Sequence, residues 1–361
     1  MNARNGSLWT IVLAAGEGTR LRSLTRALHA EDLPKQFATL QGNRSMLEVT
    51  VDRATEWSRA EQTVVVVARG NEVLAASQLR GHAGVDIVGQ PRNLGTGPGL
   101  MLPLARILAK EPSARVVVLP SDQHVRDGDA FAGAVRRADE SAVESNRVVL
   151  LGAVPDKAEE QYGWIVPRID IHARGYRVAA FREKPSAATA ESLRTAGALW
   201  STFVMTGPVR EFWRLSGMAL PDQGAAFERY RRAIGTWRER PVLDAIYARM
   251  APSDFSREVL EKAPELGVVL LPPCGWSDWG TPARVFESLK GTTDFAALVR
   301  RLGVGARSFP ELESRGNSSL PRSHLHASAC SRWPATRSAF AMMVSAGFTA
   351  ALEGKKLESA T

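Results

Sequence analysis

A chain of 361 residues, 44% apolar and 23% charged, is long enough to bury a full core, and it holds no run of 18 apolar residues of the kind that spans a bilayer. Of its formal charge of +8, residues 305–361 supply +3 (seven Lys/Arg against four Asp/Glu), leaving +5 interspersed with acids in the body. No basic run, RNP or zinc-finger pattern accompanies that charge, so nucleic acid is not an expected partner, and a mild positive bias suits polyphosphate substrates. Two cysteines, Cys274 and Cys330, cannot form a disulfide framework. With the leaderless start MNARNGSLW, they point to a cytoplasmic chain with no membrane association.

The first predicted strand, Trp9 to Leu13, is a short apolar run, as expected where both faces of a strand are covered. It breaks into Ala-Ala-Gly-Glu-Gly-Thr-Arg, with glycines at 16 and 18 that let backbone N–H groups approach an anion closely. A following helix start would add its dipole, Arg20 supplies a fixed-charge fork, and Lys35 a second cation. Position 21 is Leu, so the dinucleotide fingerprint is missing its third small residue, and no Gly-Lys-Ser/Thr closes a P-loop.

Helices are predicted over Met46–Trp57, Asn71–Leu79 (Asn71 as N-cap), Gly99–Ala109 and Asp129–Glu144. Strands are predicted over Thr63–Ala68, Val85–Val88, Arg115–Leu119 and Val148–Leu151. This alternation indicates βαβ units in a mostly parallel sheet, which binds ligands beyond the carboxyl ends of its strands. Gly89 to Gly99, with four glycines and two prolines in eleven residues, reads as an ordered loop and not a helix or strand. Its Gln90, Asn93 and Thr96 carry groups suited to a base edge, although a rigid helix entry would use the same glycines. In Pro-Ser-Asp-Gln-His, Asp122 is placed either to hold Mg²⁺ or to cap a turn, and His124 reads as a surface histidine.

Beyond residue 152 the strands become longer and less regular. Tyr162–Pro167 and Gly175–Pro185 are predicted as a hairpin and Ala198–Met205 as a further strand, with Pro208–Met250 helical. The aromatics of that helical stretch, Phe212, Trp213, Phe227, Tyr230, Trp237 and Tyr247, read as core. Gly267–Leu271 is a strand delivering GWSDWGTP, with Asp278 as a second carboxylate, and Pro282 opens a helix through Leu289. Cys274 reads as a packed, unreactive thiol. The segment after 304 is rich in Ser, Arg, Ala and His without a clear period, which suits a disordered tail, although Ala339–Leu352 has the composition of a short apolar helix. His324 and His326 lack the companions a metal site needs.

AAGEGTRL followed by PKQF resembles the signature of the sugar-phosphate nucleotidyltransferases, and PKQF resembles the mannose-1-phosphate guanylyltransferase branch. The runs QPRNLGTGP, PSD, YGW, FREKP, WSTF and GWSDWGTP resemble further family segments in the family's order, over residues 8–290. The resemblance implies a Rossmann-like mixed α/β, mostly parallel sheet with a sugar-binding strand insertion. It implies a domain over 8–304, divided into a nucleotide half (8–151) and a sugar-phosphate half (152–304), with a tail over 305–361. It also implies transfer of a nucleotidyl group from an NTP to a sugar 1-phosphate.

GTP and mannose 1-phosphate are the expected substrates and Mg²⁺ the expected cofactor, with self-association left open. By the resemblance, Arg20, Lys35, Asp122 and Lys184 are catalytic, and Asp122 and Asp278 bind the metal. Ala14, Ala15, Gly16, Gly18, Thr19, Gln90, Asn93, Gly95 and Thr96 would contact the nucleotide, and Gly163, Glu183 and Ser201 the sugar. Ser201 departs from the family's usual Asn and offers one donor where an amide offers two. A glucose-1-phosphate thymidylyl- or uridylyltransferase and a catalytically silent sugar-nucleotide sensor stand as alternatives.

Overall fold

The computed structural model describes residues 6–29, 32–169 and 176–303, so the expectations for the tail fall outside the described residues. Nine strands form one sheet in the order β3-β2-β1-β4-β8-β5-β9-β7-β6. They are β1 (Leu8–Ala14), β2 (Thr63–Ala68), β3 (Asp86–Gln90), β4 (Arg115–Pro120), β5 (Val148–Ala153), β6 (Gly163–Ile169), β7 (Tyr176–Glu183), β8 (Leu199–Pro208) and β9 (Leu266–Leu270). Pairings from β3 through β4 are parallel, as is β5 with β9, while β8 and β7 are antiparallel to their neighbours. Seven of the nine strands therefore share one direction, with β7 and β8 reversed.

The apolar runs are explained by cover on both faces. Along β2, Val64 and Val66 enter one core with Ile11, Val116 and Val118, while Val65 and Val67 enter another with Val12. Fully burying such a side chain is worth about 1.5–3 kcal/mol, so these strands gain from apolar residues at every position. The helices that cover them are α1 (Arg22–Leu28), α2 (Met46–Ala54), α3 (Glu72–Gln78), α4 (Thr96–Lys110), α5 (Gly128–Ser145), α6 (Ala187–Thr195), α7 (Val209–Ala219), α8 (Pro221–Ala233), α9 (Glu239–Arg249), α10 (Pro282–Leu289) and α11 (Thr293–Arg301). Helix α5 shows the logic: Phe131, Ala134, Val135, Ala138 and Ala142 recur at helical spacing and bury together under the β4–β5 side of the sheet.

Several expectations are corrected. The loop from Gly89 to Gly99 is shorter than expected, because Gly89 and Gln90 end β3 and Thr96 already starts α4. Asn71 precedes α3, but its side chain makes no capping hydrogen bond. Trp237 is 81% exposed and not core, since it lies in the turn between α8 and α9 and not on a helix face. Helices α6 and α11 were not anticipated. Each is short and opened by a Ser186 or Thr292 hydroxyl cap; α6 buries only Ala190 and leaves little periodic signal, whereas α11 sets Phe295, Leu298 and Leu302 on one face, a period that was legible but overlooked.

Candidate active site

The carboxyl ends of β1, β3 and β4 open into a cleft of about 460 Å³ that is closed on its other side by β6, β7, β8 and the loop after β9. The loop after β1 is held from behind. Gln36, 3% exposed, donates its amide to the carbonyls of Ala14 (2.7 Å) and Gly16 (2.9 Å). Gly18 has φ +61°, and a Cβ there would lie 2.7 Å from the Lys35 Cβ. Close approach thus fixes this glycine as firmly as its left-handed backbone does. Only a three-residue turn, Thr19–Leu21, separates the loop from α1, so no long helix stands directly behind it.

Most expected site residues line this one cleft: Ala15, Gly16, Gly18 and Arg20; Gln90, Asn93, Gly95 and Thr96; Asp122; Gly163, Glu183, Lys184 and Ser201; and Asp278. Ala14 and Thr19 are not in its lining, Ala14 being a buried strand end held through its carbonyl. Lys35 is not in the lining either. It is 5% exposed, and its Nζ donates to the Asp278 carbonyl (2.7 Å) and lies 3.3 Å from Asp122 Oδ2. Lys35 therefore joins the two aspartate segments from beneath instead of projecting into the cleft. Arg20 makes no ion pair among the described residues, which leaves its guanidinium available to an anion.

Asp122 follows β4, whose end is tied to β1 by the Ser121 N–H (3.0 Å) and hydroxyl (2.7 Å), both donated to Leu13 O. Its side chain is 43% exposed. Asp278 is more enclosed. Its Oδ1 accepts from the Tyr162 hydroxyl (2.6 Å), Arg284 (2.7 Å) and the Gly280 N–H (3.1 Å), and Arg284 also pairs with Glu159. Burial pushes the Asp278 carboxyl up. The Tyr162 hydrogen bond, the Arg284 charge and the Gly280 N–H outweigh it, so the group sits below the usual aspartate range.

In the loop after β3, Gly95 has φ +87° and a Cβ there would lie 2.3 Å from Ser253 O. The Gly97 N–H donates to that same carbonyl (3.0 Å), and the Ser253 N–H to Leu94 O (2.9 Å). Asn93 Oδ1 accepts from the Gly95 N–H (3.2 Å) and Thr96 Oγ1 from the Phe255 N–H (2.8 Å), so both side chains hold the loop in shape. Gln90 is different: it is 2% exposed, lines the cleft, and its Nε2 has no hydrogen-bond partner among the described residues. A buried amide donor without a partner is costly, and a ligand acceptor would relieve it. Gly95→Ala is expected to destabilise the fold by about 1–3 kcal/mol and to weaken nucleotide binding. Thermal unfolding and equilibrium nucleotide titration check both effects.

On the opposite wall, Gly163 pairs with Glu183 across the β6–β7 hairpin, and a Cβ at 163 would lie 2.7 Å from the Phe181 ring. Burial raises the Glu183 pKa, and Lys184, 3.5 Å away, offsets that only in part. Lys184 turns into the cleft from a backbone with φ +46°. The Ser201 hydroxyl accepts from the Phe203 N–H (3.3 Å).

Sequence reasoning missed Gln36, Gln123, Tyr162, Asp254, Ser256 and Trp276, all in the lining. Gln123 joins Thr202 O (2.5 Å) to the Trp276 indole N–H (2.9 Å). His124 is not on the surface as expected. It is 5% exposed and stacked on Trp279 at 4.5 Å, and burial together with Arg53 and Arg126 lowers its pKa to about 4. Its backbone bridges to Ser277 (2.9 and 3.0 Å), docking the PSDQH turn on the GWSDWGTP turn.

The nucleotidyl transferase family model matches residues 9–294. The chain belongs to the nucleotidyl transferase family. Among curated members it is 31% identical to the mannose-1-phosphate guanylyltransferase of Escherichia coli (strain K12), over 78% of this chain and 59% of that protein. The Xanthomonas campestris xanthan biosynthesis protein XanB is 32% identical over 75% of this chain and 57% of that protein. The chain thus spans less than three fifths of the length of each relative. A solved structure from Thermus thermophilus, described as a mannose-1-phosphate geranyltransferase, is 30% identical with a TM-score of 0.66 over 76% of each chain. One described as mannose-6-phosphate isomerase from Helicobacter pylori superposes with a TM-score of 0.60 over 75% of this chain and 99% of that one, but at 18% identity it shows the shared fold alone. No helix among the described residues is long and apolar enough to cross a membrane.

Proposed function

We propose that this chain transfers a guanylyl group from GTP to mannose 1-phosphate, giving GDP-mannose and pyrophosphate. The observation that carries the reading is one cleft bounded on one side by the glycine loop and Arg20, and on the other by Glu183 and Lys184. Similarity to mannose-1-phosphate guanylyltransferases supports the choice of substrates.

In this reading a phosphate oxygen of the sugar phosphate forms a bond to the α-phosphorus as the bond to the departing pyrophosphate breaks. The attacking oxygen is already anionic, so no base has to remove a proton, and the main obstacle is repulsion between two polyanions. Arg20 meets that repulsion at the triphosphate and Lys184 at the incoming phosphate. Lys35 acts from behind: it holds the Asp122 and Asp278 turns together and lends them positive charge.

The donor set suits a hard divalent cation. Mg²⁺ takes one or two carboxylates and completes its shell with water and substrate phosphates. Among the described residues no group of three or more His, Cys, Asp or Glu forms a cage, and Asp122 and Asp278 are two of the four carboxylates that line the cleft. Asp122, half exposed, and Asp278, whose Oδ1 is held by protein donors while Oδ2 lies next to Gly280, are the residues that would hold Mg²⁺. Bound there, Mg²⁺ would supply charge stabilisation and a template for the phosphates. The reverse reaction tests the assignment: GDP-mannose and pyrophosphate with Mg²⁺ should yield GTP. Folded protein that binds GDP-mannose yet forms no GTP would refute it.

A further inference from the structure

The segment Ser253–Ser256 touches three walls of the cleft at once. Ser253 holds the loop after β3 through its N–H to Leu94 O and its carbonyl from the Gly97 N–H, and Phe255 donates its N–H to Thr96. The Phe255 ring packs edge-on against Phe203 of β8, with centroids 6.4 Å apart. Ser256 favours the charged form of the neighbouring Glu183 carboxylate, and Glu261, one turn on, accepts the Glu183 N–H at 2.6 Å. Residues Ser256–Leu260 form a π-helical turn, a rare conformation often associated with functional sites. Buried Gln223 braces the segment from outside, donating to Ala251 O (3.0 Å) and accepting from the Ser253 hydroxyl (2.8 Å).

Asp254 is the acidic side chain that this braced segment adds to the cleft lining. Its backbone N–H is taken by Glu258 (3.0 Å) and its Oδ1 accepts the Arg257 N–H (3.0 Å). Its orientation is therefore fixed before any ligand arrives, and Oδ2 has no hydrogen-bond partner among the described residues. It lies close enough to Glu183 for the two carboxylates to repel. Two preorganised acceptors at one end of a cleft suit a ligand rich in hydroxyl donors. Ser201, on β8, has its hydroxyl oxygen already engaged by the Phe203 N–H.

We propose that Asp254 is a specificity-determining residue that accepts hydrogen bonds from sugar hydroxyls alongside Glu183, supplying recognition that Ser201 does not. The proposal rests on the sugar-phosphate reading of the cleft. Asp254→Asn keeps the size of the side chain and an acceptor for Arg257, so the segment should stay in place. The test is calorimetric titration of full-length wild type and Asp254→Asn with GDP and with GDP-mannose, alongside steady-state KM values for both substrates. A hydrogen bond to a charged group predicts about a tenfold or greater loss of GDP-mannose affinity. The affinity for GDP should stay within about twofold, and KM should rise for mannose 1-phosphate but not for GTP. Equal weakening of GDP and GDP-mannose, or a rise confined to GTP, would overturn the proposal by placing Asp254 on the nucleotide. Unchanged affinities would overturn it as well. Wild type that binds GDP but gains nothing from the mannosyl group would defeat the sugar-phosphate reading itself, a result distinguishable from an intact wild-type preference that survives in Asp254→Asn.

Discussion

Asp122→Asn is expected to lower turnover by about a hundredfold or more while leaving the unfolding midpoint nearly unchanged. The side chain is 43% exposed, and its one ion pair among the described residues is with Lys35, whose Nζ keeps the Asp278 carbonyl when the charge is removed. Asp122 is open to solvent although Lys35 is buried, and an ion pair with one such screened partner contributes about 1 kcal/mol or less, so folding has little to lose. Chemistry has much to lose, because an amide is a poor ligand for a hard cation and carries no charge. Steady-state rates with a parallel thermal melt check the split. Near-wild-type turnover would remove Asp122 from the metal assignment, and a large drop in midpoint would make it a structural residue.

The second large effect is expected at a residue that sequence reasoning did not single out. Arg284→Met should destabilise the protein by about 3 kcal/mol or more, since removing one partner of a buried ion cluster strands the others. Arg284 is 13% exposed, lies between Asp278 and Glu159, and stacks on the Tyr162 ring at 4.7 Å. Without it the two carboxylates face each other at 17% and 13% side-chain exposure. Chemical denaturation measures the loss, and Arg284→Met with Glu159→Gln should recover part of it. A single variant as stable as wild type would contradict the account of this network. The sign of the pH effect follows from the lowered Asp278 pKa. Its contribution is full above the ordinary aspartate pKa of 3.8 and is lost as pH falls through the lowered folded value. In Arg284→Met the folded value moves up toward 3.8, so the loss of stability in acid should shrink.

What the sequence showed and what it hid divide along physical lines. Strands such as Thr63–Ala68 were legible because burial on both faces leaves an uninterrupted apolar run. The glycines at 18, 95 and 163 were legible because close approach or a positive φ admits nothing larger. Asp122 and Asp278 were legible by their place after strands and by resemblance. The partners that hold those groups were not. Tyr162 lies 116 residues from Asp278, and Glu159 lies 125 from Arg284. Asp254 sits in a segment with no apolar period or recognised motif. Its place in the cleft comes from backbone bonds to distant residues, such as that from Phe255 to Thr96, 159 positions earlier. Lys35 shows the limit from the other side. Its charge and spacing marked it as important, but only packing shows that it lies beneath the aspartates and not in the cleft lining.

The central claim is most directly tested by pyrophosphate release in Mg²⁺ across GTP, dTTP, UTP and ATP, each paired with mannose 1-phosphate and with glucose 1-phosphate. The expected result is release with GTP and mannose 1-phosphate and little with any other pair. Release with a different pair would contradict the assigned substrates, and folded, nucleotide-binding protein that releases none with any pair would contradict the assigned chemistry.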